Sequence, residues 1–414
     1  MTPLFSAIIP KIFERPNISA CYSTKNLLIS PRVANKNVNR QKFMVKRTVS
    51  NRFHTLLKVL ALLGLIYLFL LSITLIGSSF KAMGKETAQT IMQMVSNPVM
   101  GLVVGIFTTS LVQSSSLTTS LVVSMIAGGV FSTDPDVSIR LAIPIIMGAN
   151  IGTSVTNLIV SIGHIRRSDE FERALGASIV HDFFNVLSVL VIFPLQLMFN
   201  VIGIPARAAS GLFVNLGGLK FINPLNAILN PVAKAVLQLF PNHPWIGVLI
   251  AFFLLFFALR YLVVVMKSLV LKKIEAFFDQ YIFKTTFRAL MLGILFTALV
   301  QSSSITTSLV VPLAAAGVLN LKKIFPYDLG ANIGTTITAF LASLATSNAD
   351  AVTIAFSHFL FNVIGIIIWL PLKQVPITMA KTFAHWSVQR RWIPIVYILL
   401  LFFIIPWLLI FIMR

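Results

Sequence analysis

The sequence predicts an all-α polytopic membrane protein made of two inverted-topology repeats. Each repeat is expected to hold a re-entrant hairpin and unwound helices around a site at the membrane midplane. Three observations predict this. Of 414 residues, 57% are hydrophobic and only 11% are charged, more apolar surface than a soluble fold can cover. A polar segment occurs twice with one difference: Leu111 to Val123 reads LVQSSSLTTSLVV, and Leu299 to Val311 reads LVQSSSITTSLVV. The basic residues fall on one side of the expected topology.

Residues 1–55 form a Lys/Arg/Asn/Ser-rich tail with prolines at 3, 10, 16 and 31. The expectation is a disordered cytoplasmic tail that binds the anionic leaflet weakly. An organellar transit peptide shares this composition. The net charge of +21 raises nucleic acid as a partner, but 11 of the 33 Lys and Arg lie in residues 1–58. Membrane-flanking charge accounts for them, and no nucleic-acid function is expected. The single cysteine, Cys21, leaves no internal disulfide or thiolate metal site.

Residues 56–200 are the first repeat and 245–372 the second. Leu56–Phe80 and Trp245–Val270 are their leading spans, each long enough to cross a bilayer. After the QSSS segments, MGANIGTSVTN (Met147–Asn157) matches LGANIGTTITA (Leu329–Ala339). His181 and Asn185 then match His358 and Asn362, each pair one helical turn apart. Residues 201–244, a mixture of Gly, Pro, Asn and short apolar runs, read as an extracytoplasmic connector with interfacial helices. Residues 373–414 read as a cytoplasmic loop and a final span, Trp392–Met413.

If each QSSS segment is a hairpin returning to its own side, each half crosses three times and the second half is inverted. With the N-terminus cytoplasmic, the inside face then collects 25 of the 33 basic residues. Full crossing by the QSSS segments breaks this segregation, so the positive-inside rule favours hairpins.

Broken backbone at membrane depth is tolerated only where it is buried in protein or lines a cavity. At a QSSS tip, the N–H groups opening the following helix attract an anion, and Ser and Thr hydroxyls add donors. Gln113 and Gln301 offer carbonyl oxygens to a cation. The alternative, Ser/Thr-rich segments that only let helices approach, is weakened by the duplication. In the GAN segments Gly148, Gly152, Gly330 and Gly334 allow either an unwound turn or close helix contact. If unwound, Asn150, Thr153, Asn332 and Thr335 form an oxygen cage suited to Na+. Helix packing with Asn as interhelical glue is the alternative.

Ionisable residues at membrane depth are few: His181, Asp182, His358, Asp328 and Arg260. His181, Asn185, Asp328, His358 and Asn362 are expected to support the site by hydrogen bonding. Arg260 is read as snorkelling or pairing. No cationic clamp beside QSSS is evident, so co-bound cations and helix dipoles are expected to cancel an anion's charge. Cation coupling then supplies energy too, ~2.3 kcal/mol per net charge per 100 mV. No unique nucleophile or GxSxG elbow points to an enzyme. A channel remains a competing class.

QSSS with its following TS, IPIIMGANIGTSVTN, FERALGASIVHDFFNVLSVLVIFPL, the second QSSS, GANIGTTITA and HFLFNVIGIIIWLPL together resemble the type II sodium-dependent phosphate cotransporters, over about residues 90–410. The resemblance implies Na+-coupled uptake of inorganic phosphate, as the dianion, by alternating access in the cell membrane. It implies phosphate contacts at Ser114, Ser115, Ser116, Ser302, Ser303 and Ser304, with Thr119 and Thr307 close by. It implies Na+ ligands among Gln113, Gln301, Asn150, Asn332 and neighbouring hydroxyls. No catalytic cofactor is expected. The residues themselves point to an anion beside cations, without favouring phosphate over another small oxyanion. The short, cysteine-free connector and the end of the chain just after the last span depart from the animal members and suggest a bacterial one.

Overall fold

A computed structural model describes residues 33–94, 97–132, 134–216, 223–274, 283 and 285–413. The expectation for the tail falls outside the described residues up to position 32. From Val33 onward the described chain is helical. The chain divides into two compact units, Met1–Gly64 and Leu65–Arg414. The site described below lies wholly in the second.

The described secondary structure is all helical. In order, the helices are α1 (Val33–Met94), α2 (Pro98–Val112), α3 (Ser115–Ala127), α4 (Pro135–Thr153), α5 (Val155–Ile162) and α6 (Ser168–Phe199). The connector carries α7 (Gly203–Asn215) and α8 (Asn223–Gln238). Then follow α9 (Pro244–Ile274), α10 (Thr286–Val300), α11 (Ser303–Ala315), α12 (Leu321–Leu344), α13 (Ala349–Trp369) and α14 (Gln374–Gln389). The final span is α15 (Ile393–Leu399), a π-helical turn (Leu400–Ile404) and α16 (Ile405–Ile412).

Six segments of the described chain are long and apolar enough to cross a membrane: Leu56–Gly84, Pro135–Ile162, Ser168–Phe199, Pro244–Leu269, Ala349–Trp369 and Ile393–Ile412. The protein is therefore a polytopic α-helical membrane protein. The helices flanking the two QSSS segments are only 13 or 15 residues long. At 1.5 Å per residue each reaches at most about 22 Å, short of the ~30 Å hydrocarbon core.

Local sequence sets the helix starts. Asn97, Asp134, Thr285, Asn320 and Asn348 each accept a hydrogen bond from a first-turn N–H, satisfying donors that have no intrahelical acceptor. Pro98 and Pro135 occupy the first helical position, where no N–H is needed.

The GAN segments differ from the unwound expectation. Met147–Thr153 is helical to the end of α4, and Gly330–Thr335 lies inside continuous α12. Their glycines serve close approach instead. A Cβ on Gly148 would lie 2.0 Å from Leu102 O in α2, and one on Gly330 would lie 2.0 Å from Leu290 O in α10. The partner helices reciprocate, with Gly105 against Ile145 O at 2.1 Å and Gly293 against Tyr327 O at 2.0 Å. The α2–α4 and α10–α12 pairs are thus locked backbone to backbone at corresponding positions. The duplication in sequence is a duplication in packing. Further in, Phe184 of α6 meets Phe325 of α12 edge to face, with centroids 6.1 Å apart.

Candidate functional site

Both QSSS segments adopt the same local structure. Gln113 (φ 55°) and Gln301 (φ 58°) cap α2 and α10 in the left-handed region. Their backbone N–H groups donate to Thr109 O and Thr297 O, each at 2.7 Å. A left-handed non-glycine residue costs about 1–2 kcal/mol, and the chain keeps glutamine there twice. Ser114 and Ser302 are extended and start the next helices. Their hydroxyls accept from Leu117 N at 3.2 Å and from Ile305 N at 3.4 Å. The remaining first-turn N–H groups of α3 and α11 have no intrahelical acceptor.

Tertiary structure brings the two tips together. Gln113 to Ser116 and Gln301 to Ser304 line one cavity of about 240 Å³. Ser115, Ser116, Ser303 and Ser304 are buried. Two helix N-termini therefore converge on one small cavity, an arrangement that favours an anion. Thr119 and Thr307 lie one turn further along. Thr119 donates to Ser116 O at 3.3 Å, and Thr307 donates to Ser303 O at 2.8 Å.

Behind the tips lies a buried hydrogen-bond network. His181 Nε2 is 2.8 Å from Asn332 Oδ1. That oxygen only accepts, so the network places the ring proton on Nε2. Asn332 Nδ2 donates to Asn185 Oδ1 at 2.8 Å, and Asn185 Nδ2 donates to Asn150 O at 3.0 Å and Ser154 Oγ at 3.2 Å. The first repeat's His/Asn pair is thereby tied to both GAN helices. The second repeat's pair is not: Asn362 Nδ2 donates to His358 O at 2.9 Å, and neither His358 nitrogen has a hydrogen-bond partner among the described residues.

Four expected cation ligands stand apart from the cavity lining. Asn150 Nδ2 donates to Ile146 O at 3.0 Å, Thr153 to Ala149 O at 2.9 Å and Thr335 to Ala331 O at 3.1 Å, all within their own helices. Asn332 belongs to the histidine network. Asp328 is buried with neither carboxylate oxygen hydrogen-bonded among the described residues. Asp182 instead accepts from Tyr397 Oη of the final span at 2.5 Å.

Sequence reasoning missed three participants. Thr156 lines the cavity, and Thr338, its counterpart in the second copy, donates to Gln301 Oε1 at 2.9 Å. Both follow the GAN threonine by three residues, and that shared spacing was a usable signal. Asn157 donates to Thr307 Oγ1 at 2.6 Å and accepts from Ser308 Oγ at 2.8 Å. The second copy has Ala339 there, so comparing the repeats conceals it. Arg260, for which snorkelling or pairing is expected, lines the cavity beside both tips.

The family model for the Na+/Pi-cotransporter matches residues 68–221 and 254–383. Sodium-dependent phosphate transport protein 2A of Ovis aries is 34% identical over 434 residues, covering 85% of this chain and 67% of that protein. Sodium-dependent phosphate transport protein 2B is 31% identical over 448 residues in both Pongo abelii and Homo sapiens, covering 84% of this chain and 64% of those proteins. The chain thus spans about two thirds of the length of these relatives. No solved structure matches. With the QSSS tips, GAN helices and His/Asn segments all inside the matched residues, the chain belongs to the Na+/Pi-cotransporter family.

Proposed function

We propose that the protein is a secondary active transporter that couples inward Na+ movement to uptake of inorganic phosphate by alternating access. The observation that carries this is the single cavity lined by two QSSS tips 188 positions apart in sequence. In this reading phosphate sits against Ser114, Ser115, Ser116, Ser302, Ser303 and Ser304, with Thr119 and Thr307 behind them. Gln113 and Gln301 present oxygens to Na+ at the same cavity. Asn150, Thr153, Asn332 and Thr335 serve Na+ in states of the cycle where the histidine network releases Asn332. Placing cations beside the anion lowers the cost of carrying charge through a low-dielectric region.

The repeats run in opposite directions in this proposal, with the N-terminus cytoplasmic and each QSSS unit a re-entrant hairpin. Two observations support it. The helices flanking QSSS are too short to span the bilayer alone, and the hairpin topology gathers most Lys and Arg on one side. Two near-equivalent halves around one site suit rocking of one against the other.

The test is uptake of radiolabelled phosphate into proteoliposomes under an inward Na+ gradient, with K+ replacing Na+ as control. Accumulation above equilibrium only with Na+, reduced by arsenate but not by sulfate, is the expected result. Equal uptake in both gradients would exclude sodium coupling, and competition by sulfate alone would reassign the anion.

A further inference from the structure

Arg260 sits on α9, outside the QSSS, GAN and His/Asn motifs. Phe256, Leu259 and Val263, at helical spacing around it, line the same cavity, so this face of α9 forms a wall opposite the tips. Arg260 lies about 10 Å deeper along the helix than Lys267, from the 1.5 Å rise per residue. A guanidinium at that depth needs either a partner or a polar cavity. Among the described residues no carboxylate pairs with it.

The cavity it lines is already positive. The N-termini of α3 and α11 carry the positive ends of their helix dipoles into the same cavity of about 240 Å³. Three convergent positive features with no facing carboxylate repel one another until an anion enters. A guanidinium also presents planar, paired N–H donors that match two oxygens of a tetrahedral oxyanion. Gln113 and Gln301 offer only neutral dipoles for this purpose. Thr156 contributes a buried hydroxyl that is unpartnered among the described residues.

We propose that Arg260 is the resident counter-charge of the anion site, binding phosphate oxygens from the α9 wall opposite the two QSSS tips. The inference rests on the phosphate reading above. Arg260 cancels part of the anion's charge before any cation binds. It also favours oxyanions able to accept two parallel hydrogen bonds.

The test is phosphate uptake in proteoliposomes for the parent protein, Arg260→Lys and Arg260→Gln. Loss of a charge-assisted bidentate contact is expected to raise the phosphate KM about tenfold or more in Arg260→Gln, with Arg260→Lys in between. Maximal rate and the Na+ half-saturation at saturating phosphate should stay within about twofold, because the lost interaction is with the anion. A phosphate KM in Arg260→Gln within about twofold of the parent would overturn the assignment. Should Arg260→Gln fail to fold, a Cys21→Ser/Arg260→Cys variant decides the question, because Cys21 is the chain's one cysteine. Phosphate should slow its modification by a methanethiosulfonate reagent more than sulfate does. Equal rates with and without phosphate would refute the proposal. If the parent protein shows no Na+-dependent phosphate uptake, the phosphate reading itself fails, an outcome separate from a transporting parent with an unaffected variant.

Discussion

Asn157 donates to the Thr307 hydroxyl at 2.6 Å and accepts from Ser308 Oγ at 2.8 Å. This joins the GAN segment of the first repeat to the QSSS helix of the second. The reciprocal joint is built differently: the matching residue is Ala339, Ser120 Oγ, the counterpart of Ser308, is buried without a partner among the described residues, and Ser116 Oγ instead donates to Thr338 Oγ1 at 3.4 Å. The two halves share a backbone plan but are fastened by different polar contacts at their two junctions. Asn157→Ala should therefore destabilise the protein by about 1 kcal/mol or more, since the half-buried Ser308 hydroxyl loses its acceptor and the buried Thr307 hydroxyl keeps only its bond to Ser303 O. Thermal unfolding in detergent measures this, and an unchanged transition would mean the joint contributes nothing.

The two histidines should respond differently to the same change. His181 is held by Asn332 at 2.8 Å, whereas His358 has no hydrogen-bond partner among the described residues. His181→Leu leaves Asn332 Oδ1 unsatisfied and should cost about 1–3 kcal/mol. His358→Leu removes an unsatisfied buried group and should be near neutral or stabilising. Comparing the two unfolding transitions tests the asymmetry, and equal losses would contradict it.

The glycine locks give a sharper test of the fold. Gly148→Ala and Gly330→Ala each place a methyl 2.0 Å from a neighbouring backbone carbonyl oxygen. No flexible side chain can move aside there, so both should abolish folded, monodisperse protein on size exclusion. Gly211→Ala is the control. A Cβ at that position meets nothing within 4 Å, and, because Gly211 lies inside α7, the change should be neutral or stabilising by up to about 1 kcal/mol.

Within the cavity, cation and anion roles separate by residue. Gln113→Ala and Gln301→Ala should raise the Na+ concentration for half-maximal uptake while protein still reaches the membrane. Ser115→Ala and Ser303→Ala should raise the phosphate KM, by about tenfold to a hundredfold for one hydrogen bond to a charged oxygen. Flux measured against each solute in turn distinguishes the two groups. Normal Na+ dependence in both glutamine variants, or an unchanged KM in both serine variants, would relocate the corresponding ligand.

Much of this was legible in the chain because its signals are local. Apolar runs require a membrane, since hydrocarbon cannot satisfy exposed backbone. The near-identical QSSS segments marked both caps, because glutamine and serine at a helix break impose the same turn wherever they recur. The GAN segments show the limit of such reasoning. Glycine permits both unwinding and close contact, and only the carbonyls of Leu102 and Leu290 against Gly148 and Gly330 decided for contact.

By itself the sequence determined the membrane class, the duplication, the helix breaks and the polar residues at each tip. These follow from composition and from capping chemistry within a few residues. Only the tertiary structure decided that the two tips share one cavity, that Arg260 faces it and that Asn157 ties one repeat to the other. Those relationships join residues far apart in the chain, and they arise from how helices pack, which no local pattern encodes.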